Sequence, residues 1–161
     1  MNKQFRNVVI VSFLLVLAAA LLDVYGSILW INEGGGWEGA AYVAAGHIYQ
    51  TVFWAAIYIA VAAIAITYYL IKKDKSEALA LLLIPVILLQ FGVEDVLFYL
   101  LKGLNVLADT MPWLMNKLIP PTVLTNLLHQ PVITGPILVI SATTGVFLAV
   151  YIAKRLEKVK G

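Results

Sequence analysis

The sequence predicts an all-α integral membrane bundle of four transmembrane helices, and three observations support this fold class. The chain has 161 residues, of which 62% are hydrophobic and only 12% are charged. Its mean hydropathy is +0.93, whereas soluble domains are roughly half apolar and about a quarter charged. Four apolar runs, each long enough for a ~30 Å hydrocarbon core, take up most of the chain. We therefore expect a single membrane domain over 1–161 and no soluble catalytic domain.

The apolar runs set the bounds of the predicted helices. We expect transmembrane helices at about 7–31, 41–71, 78–101 and 136–154. The first run continues past the length of a secretory signal core, so we expect it to remain as a helix. The second run is longer than the bilayer requires and must tilt or protrude.

The segment 104–134, between the third and fourth runs, predicts a proline-rich extracytoplasmic helical hairpin. One straight spanning helix is excluded by its prolines, which are Pro112, Pro120, Pro121 and Pro131. We expect two short helices there, at about 111–118 and 122–130. Their leucines make them apolar enough to lie in the membrane interface. A re-entrant loop that dips into the bilayer is the open alternative.

The positions of the cations predict the orientation of the helices. Lys and Arg stay on the cytoplasmic side of short loops. Of the eleven cations, only Lys102 and Lys117 lie at one end of the predicted bundle, which leaves nine (11 − 2) at the other. We therefore expect a multi-pass protein of the cell membrane with both termini in the cytoplasm. Topology alone explains the net charge of +2, and we expect no nucleic-acid partner.

The acidic residues and histidines gather toward the opposite, outer face. Asp23 lies 17 residues beyond Arg6, and Glu94 lies 17 residues beyond Glu77. Both carboxyls therefore sit ~25 Å from the inner boundary at ~1.5 Å per helical residue. His47 begins the second helix from the outside, and His129 ends the outer hairpin. Any functional surface is predicted to face outward.

Helical spacing predicts that three polar stripes meet inside the bundle. Asp23 and Ser27 share a face of the first helix, and His47 and Trp54 share a face of the second. On the third helix Gln90 aligns with Glu94, while Asp95 and Tyr99 form a neighbouring stripe. Ionisable groups in hydrocarbon cost at least ~2.5 kcal/mol each, so these carboxyls need partners. The candidate residues are Glu94, Asp95 and Asp23 for acid and base chemistry, Trp54, Gln90 and Tyr99 for substrate binding, and His47, His129 and Glu94 as metal ligands.

A structural interpretation of the same residues is also open. Asp95 could pair with Lys102 and Tyr99, and Asp23 could hydrogen-bond to Ser27, with no chemical role for either carboxyl. The candidate cofactors are a divalent metal held by histidine and carboxylate, or a haem bound between His47 and His129. The chain has no cysteine, which excludes disulfides and thiolate ligands.

One short stretch resembles a known family. The run Gly92-Val93-Glu94-Asp95-Val96-Leu97-Phe98-Tyr99 is similar to the paired-acid, two-spacer, paired-aromatic signature of the small membrane-embedded lycopene cyclases. The resemblance implies that Glu94 and Asp95 protonate a polyene. It covers eight residues of 161 and lacks the proline that precedes the acids in that family, so we assign no family from it.

Several functions are compatible with this sequence. The main prediction is an outer carboxylate and histidine site that binds a metal or an amphiphilic lipid or isoprenoid substrate. A lipid-modifying enzyme that uses Glu94 and Asp95 as acid and base would have such a site. The alternatives are an accessory subunit or small transporter of a membrane complex, and a haem- or metal-binding membrane anchor. Membrane lipids are expected partners, and both a homo-oligomer and a larger membrane complex are compatible with the sequence.

Overall fold

The computed structural model describes the backbone of residues 3–32, 40–111, 114 and 117–160, and the side chains of 3–26, 52–111, 114 and 117–159. The described α-helices are α1 (Lys3–Asn32), α2 (Ala40–Lys72), α3 (Lys75–Gln90), α4 (Val93–Leu101), α5 (Ile119–Leu127) and α6 (Gly135–Lys160). Between α4 and α6 lie a 3₁₀ turn (Val106–Ala108) and two short strands, β1 (Thr110–Met111) and β2 (Ile133–Thr134).

The helices confirm an all-helical fold of membrane type. Among the described residues, three helical stretches are long and apolar enough to cross a membrane, namely Lys3–Gly26, Val52–Lys72 and Gly135–Val159. The pair α3 and α4 makes a fourth candidate span if it is counted as one, although its two halves meet at an angle of 64°. Three to four apolar helices could therefore span a membrane.

The break between α3 and α4 departs from the expected continuous helix over 78–101. The backbone N–H of Phe91 closes α3 by donating to the carbonyl of Ile87 at 2.9 Å. Gly92 follows with φ +80, in the left-handed region that glycine adopts at little steric cost. Pro85 lies inside α3 and does not end it. The glycine turn, and not the proline, therefore redirects the chain between α3 and α4.

Helix α3 is the centre of the bundle, since α1, α2 and α6 all pack against it. Gly145 allows α6 to approach the break closely, because a Cβ atom at this position would lie 2.4 Å from the Cβ of Phe91. The main core consists of apolar side chains from α1, α2, α3 and α6, including Phe5, Val8, Val16, Ala65, Leu81, Ile84, Leu88 and Ala149.

The expected pair of short helices in 104–134 is not confirmed, because the first one, at about 111–118, falls partly on residues 112, 113, 115 and 116, which lie outside the described residues. The described residues of this segment contain one α-helix, α5, which begins at Ile119 and carries Pro120 and Pro121 in its first turn. Proline is tolerated there because first-turn N–H groups have no intrahelical partner. The helix therefore includes the two prolines in its first turn and does not begin only after them. Strands β1 and β2 pair antiparallel, with Thr110 opposite Thr134, in a ribbon that the sequence did not predict.

A second apolar core lies beneath this segment. It joins α4, the ribbon and the start of α6 through buried side chains, which are Tyr99, Val106, Met111, Leu114, Leu118, Ile133, Ile137 and Leu138. The segment is therefore packed against the bundle at the end where α4 and α6 meet.

The glycine turn predicts a stability effect. We expect Gly92→Ala to lower the free energy of unfolding by about 2–5 kcal/mol, because the methyl group adds left-handed strain and meets the Leu138 Cδ1 atom at 2.4 Å. Gly103→Ala is the matched control, since Gly103 also has positive φ but nothing within 4 Å of an added Cβ. Thermal unfolding in detergent, followed by circular dichroism, compares the two. Equal losses would contradict the close contact at Gly92.

Candidate functional site

The candidate site begins at the break between α3 and α4. Glu94 and Asp95 occupy the first turn of α4, where the free N–H groups of the helix favour negative charge. The Glu94 side chain is only 1% exposed. Asp95 is half-buried, but its Oδ2 atom is shielded. Two adjacent carboxyls are thus withdrawn into the bundle by the turn at Gly92.

Two further charged groups come from distant parts of the chain. The Asp23 carboxyl on α1 lies close enough to both Glu94 and Asp95 for their charges to interact. The Lys117 ammonium, from the segment between α4 and α6, interacts in the same way with Asp95. We call Asp23, Glu94, Asp95 and Lys117 the carboxylate cluster. It brings three carboxyl groups together with one ammonium group.

A hydrogen bond connects α2 with the edge of this cluster. Gln90 Nε2, in the last turn of α3, donates to the Tyr58 hydroxyl oxygen at 2.5 Å. Tyr58 also lies within electrostatic range of Asp95. The Trp54 ring is half-buried one turn away, with its centroid 6.1 Å from that of Tyr58. Gln90 and Trp54, which the sequence proposed as substrate-binding residues, therefore lie on the α2 side of the cluster.

The cluster is short of hydrogen-bond donors. Five buried side-chain atoms have no hydrogen-bond partner among the described residues, and these are Gln90 Oε1, Glu94 Oε1, Asp95 Oδ2, Thr125 Oγ1 and Ser141 Oγ. The first three fall between positions 90 and 95, and all three are acceptors. An unsatisfied buried polar group costs about 1–3 kcal/mol, so each of these oxygens favours a bound donor.

Tyr99 has a different partner from the one that the structural interpretation of the sequence expected. Its buried hydroxyl donates to Asp109 Oδ2 at 2.7 Å, which ties α4 to the residues just before β1. The Lys102 ammonium lies 5.0 Å from the centroid of the Phe98 ring. Tyr99 is also within electrostatic range of Asp95. The Tyr99 hydroxyl thus holds the start of the segment between α4 and α6 beside the cluster.

The two histidines, which the sequence proposed as metal ligands, are not brought to Glu94 by the described residues. His129 is exposed, with φ 53, just beyond the end of α5. His47 belongs to α2, and its side chain lies outside the described residues. Among the described side chains, no three of histidine, aspartate and glutamate stand close enough to hold one metal ion. The metal and haem predictions gain no support from this part of the chain.

Two residues beside the site, Lys117 and Tyr58, were not among the candidates that the sequence predicted, and a further buried acid, Glu77, lies away from the site. Lys117 was counted only as an outer cation, and Tyr58 was not among the candidates although its spacing from Trp54 places both on one helix face. Glu77 marked only the inner end of the third span. It is 2% exposed and accepts a hydrogen bond from the Tyr68 hydroxyl, so the end of α3 remote from the cluster also holds a buried carboxyl.

Comparison with known proteins assigns no family to the chain. No family model matches the sequence, and no curated protein or solved structure matches it. The function is therefore inferred from the chemistry of the carboxylate cluster alone.

The position of Lys117 predicts an unusual reactivity. Burial lowers the pKa of its ammonium group, while the nearby Asp95 carboxylate opposes that shift. We expect the extent of pulse acetylation of Lys117, measured by mass spectrometry as a function of pH, to have its midpoint below the usual lysine pKa of ~10.4. In Asp95→Asn the opposing charge is lost, so the midpoint should fall further. An unchanged midpoint would show that the two groups are not neighbours.

Proposed function

We propose that the protein binds an amphiphilic molecule whose polar head carries hydrogen-bond donors, such as a hydroxyl or an amine. The observation that supports this proposal is the set of three acceptors, on Gln90, Glu94 and Asp95, that find no hydrogen-bond partner among the residues that the structure describes. A donating headgroup satisfies them, whereas an acceptor-only headgroup leaves them unpaired and adds repulsion from the acids. The apolar surroundings of the cluster favour a ligand whose remainder is hydrocarbon.

The proposal includes the placement of the chain in the membrane. The protein crosses the cell membrane four times, with α3 and α4 forming one bent span and both termini in the cytoplasm. The cation distribution supports this orientation. The carboxylate cluster then lies in the outer half of the bilayer, where a molecule that enters from the lipid reaches it without crossing water.

Within this site Glu94 is the proposed acid and base. It is the most buried carboxyl of the cluster, and a group shielded from water exchanges its proton with a bound molecule and not with solvent. Asp95 and Asp23 set the charge around it, and Lys117 balances part of that charge. A lipid- or isoprenoid-modifying enzyme that uses Glu94 in this way is the activity that the cluster supports best.

Variants of Glu94 test the ligand class. We expect farnesol and stearylamine, which have donating heads, to bind the purified protein in detergent, and palmitate at neutral pH to bind much more weakly. Glu94→Leu removes the acceptor and should weaken both ligands by about 10–100-fold, since hydrogen bonds to charged groups contribute ~1.5–3 kcal/mol. Glu94→Gln keeps a neutral acceptor and should retain farnesol better than stearylamine. Native mass spectrometry measures the bound fraction.

Glu157→Gln is the matched control, because Glu157 is a carboxyl near the end of α6 and is not part of the cluster. It should leave the binding of farnesol and stearylamine unchanged. Thermal unfolding of each variant shows whether the fold is retained. The proposal is wrong if palmitate binds as well as farnesol, or if a folded Glu94→Leu protein binds all three ligands like the wild type.

A proton-coupled carrier is the second candidate, and the broken third span favours it. Transporters commonly build their sites at discontinuous helices, where the start of a half-helix meets the ligand. A carrier in proteoliposomes would accumulate labelled stearylamine or farnesol in response to a pH gradient, and Glu94→Gln would abolish that response. Binding without a gradient effect would favour the enzyme.

A further inference from the structure

A cavity lies between α2 and α3 at the end of the bundle remote from the carboxylate cluster. Its volume is about 420 Å³, within the ~300–1,000 Å³ typical of small-molecule sites. The side chains that line it are Ala62, Ala65, Ile66, Tyr69, Lys75, Ala78, Leu79 and Leu82. It is an open groove on the surface of the bundle, and we call it the inner groove.

The groove exists because α2 packs on one side only. Among the described helices, α3 is its main neighbour. Only 11% of the apolar window in Val52–Lys72 is buried, so most of this stretch of α2 faces away from the bundle. Small side chains at Ala62, Ala65 and Ala78 leave the gap between the two helices unfilled. An apolar chain of the surrounding lipid fits such a lining.

Basic residues surround one end of the groove. Lys75 lines it, and the Lys73 ammonium lies 5.9 Å from the centroid of the Tyr69 ring, which is also part of the lining. The acids nearby are engaged within the protein. Asp74 Oδ1 accepts a hydrogen bond from the backbone N–H of Glu77 at 3.0 Å, and the Glu77 carboxyl is buried against Tyr68. The groove therefore combines an apolar body with a cationic mouth.

We propose that the inner groove binds an anionic phospholipid, with one acyl chain along the alanine lining and the phosphate at Lys75 and Lys73. Lysine binds phosphate as a point charge, and Tyr69 stands where aromatic rings anchor helices at the headgroup level. In the orientation proposed above, this mouth faces the cytoplasmic leaflet, in which anionic lipids are concentrated. The site is separate from the carboxylate cluster and does not depend on the ligand of that cluster.

Native mass spectrometry of the full chain in dodecyl maltoside tests the charge requirement. We expect dioleoyl phosphatidylglycerol to bind as a single tight copy and dioleoyl phosphatidylcholine to bind more weakly. Lys75→Gln should weaken phosphatidylglycerol by about fivefold without changing phosphatidylcholine. Lys158→Gln, at an exposed lysine on α6 that does not line the groove, is the control and should bind like the wild type. Equal binding of the two lipids would overturn the proposal.

A second pair of variants tests the apolar body of the groove. Ala62→Phe places a ring in the gap and should remove the tight copy of phosphatidylglycerol. Ala63→Phe, one residue away on an exposed face of α2 outside the lining, should keep it. If the two variants bind lipid alike, the lipid does not occupy the groove and the proposal fails. It also fails if Ala62→Phe instead converts a dimer to a monomer, because the groove would then be covered by a second copy of the chain.

Discussion

The bend at Phe91 and Gly92 is held in place by α6, which approaches both residues of the turn. Gly145 brings the α6 backbone against the Phe91 ring, and the buried Leu138 side chain fills the space where Gly92 has no Cβ. Any side chain at position 92 would have to displace Leu138 and adopt a left-handed backbone. The change of direction between α3 and α4, and with it the position of α4, therefore depends on this contact.

Because of this bend, an apolar bundle can hold two adjacent carboxyls. A continuous helix would have no free backbone N–H groups near Glu94 and Asp95, whereas the start of α4 supplies a partial positive charge beside them. Lys117, on the segment between α4 and α6, adds a full positive charge near Asp95. The compensation is incomplete within the described part of the chain, since three acceptor oxygens in this stretch have no hydrogen-bond partner there. Buried polar groups without a hydrogen-bond partner are concentrated at functional sites, where a bound molecule or the reaction itself supplies the partner.

Sequence reasoning predicted the parts of this arrangement that depend on composition and helical rise. Hydropathy predicted an all-helical membrane protein, and the count of residues along two helices placed Asp23 and Glu94 at one depth. The break could not be predicted, because the apolar pattern continues through Val93–Leu101 and Pro85, the stronger local breaker, lies within an intact helix. Lys117 comes near Asp95 only through tertiary packing of the segment between α4 and α6, and no periodic pattern in the sequence encodes that packing.

Helix α2 links the two proposed sites through a pair of tyrosine hydrogen bonds to α3. Tyr58 accepts from Gln90 near the carboxylate cluster, and Tyr68 donates to Glu77 near the inner groove. The two tyrosines are ten residues apart (68 − 58), or ~15 Å along the helix axis. Between them lie Ala62 and Ala65, whose small side chains line the inner groove. Both hydrogen bonds join α2 to α3 outside the lining of the inner groove, so each proposed site has a polar contact between these two helices beside it.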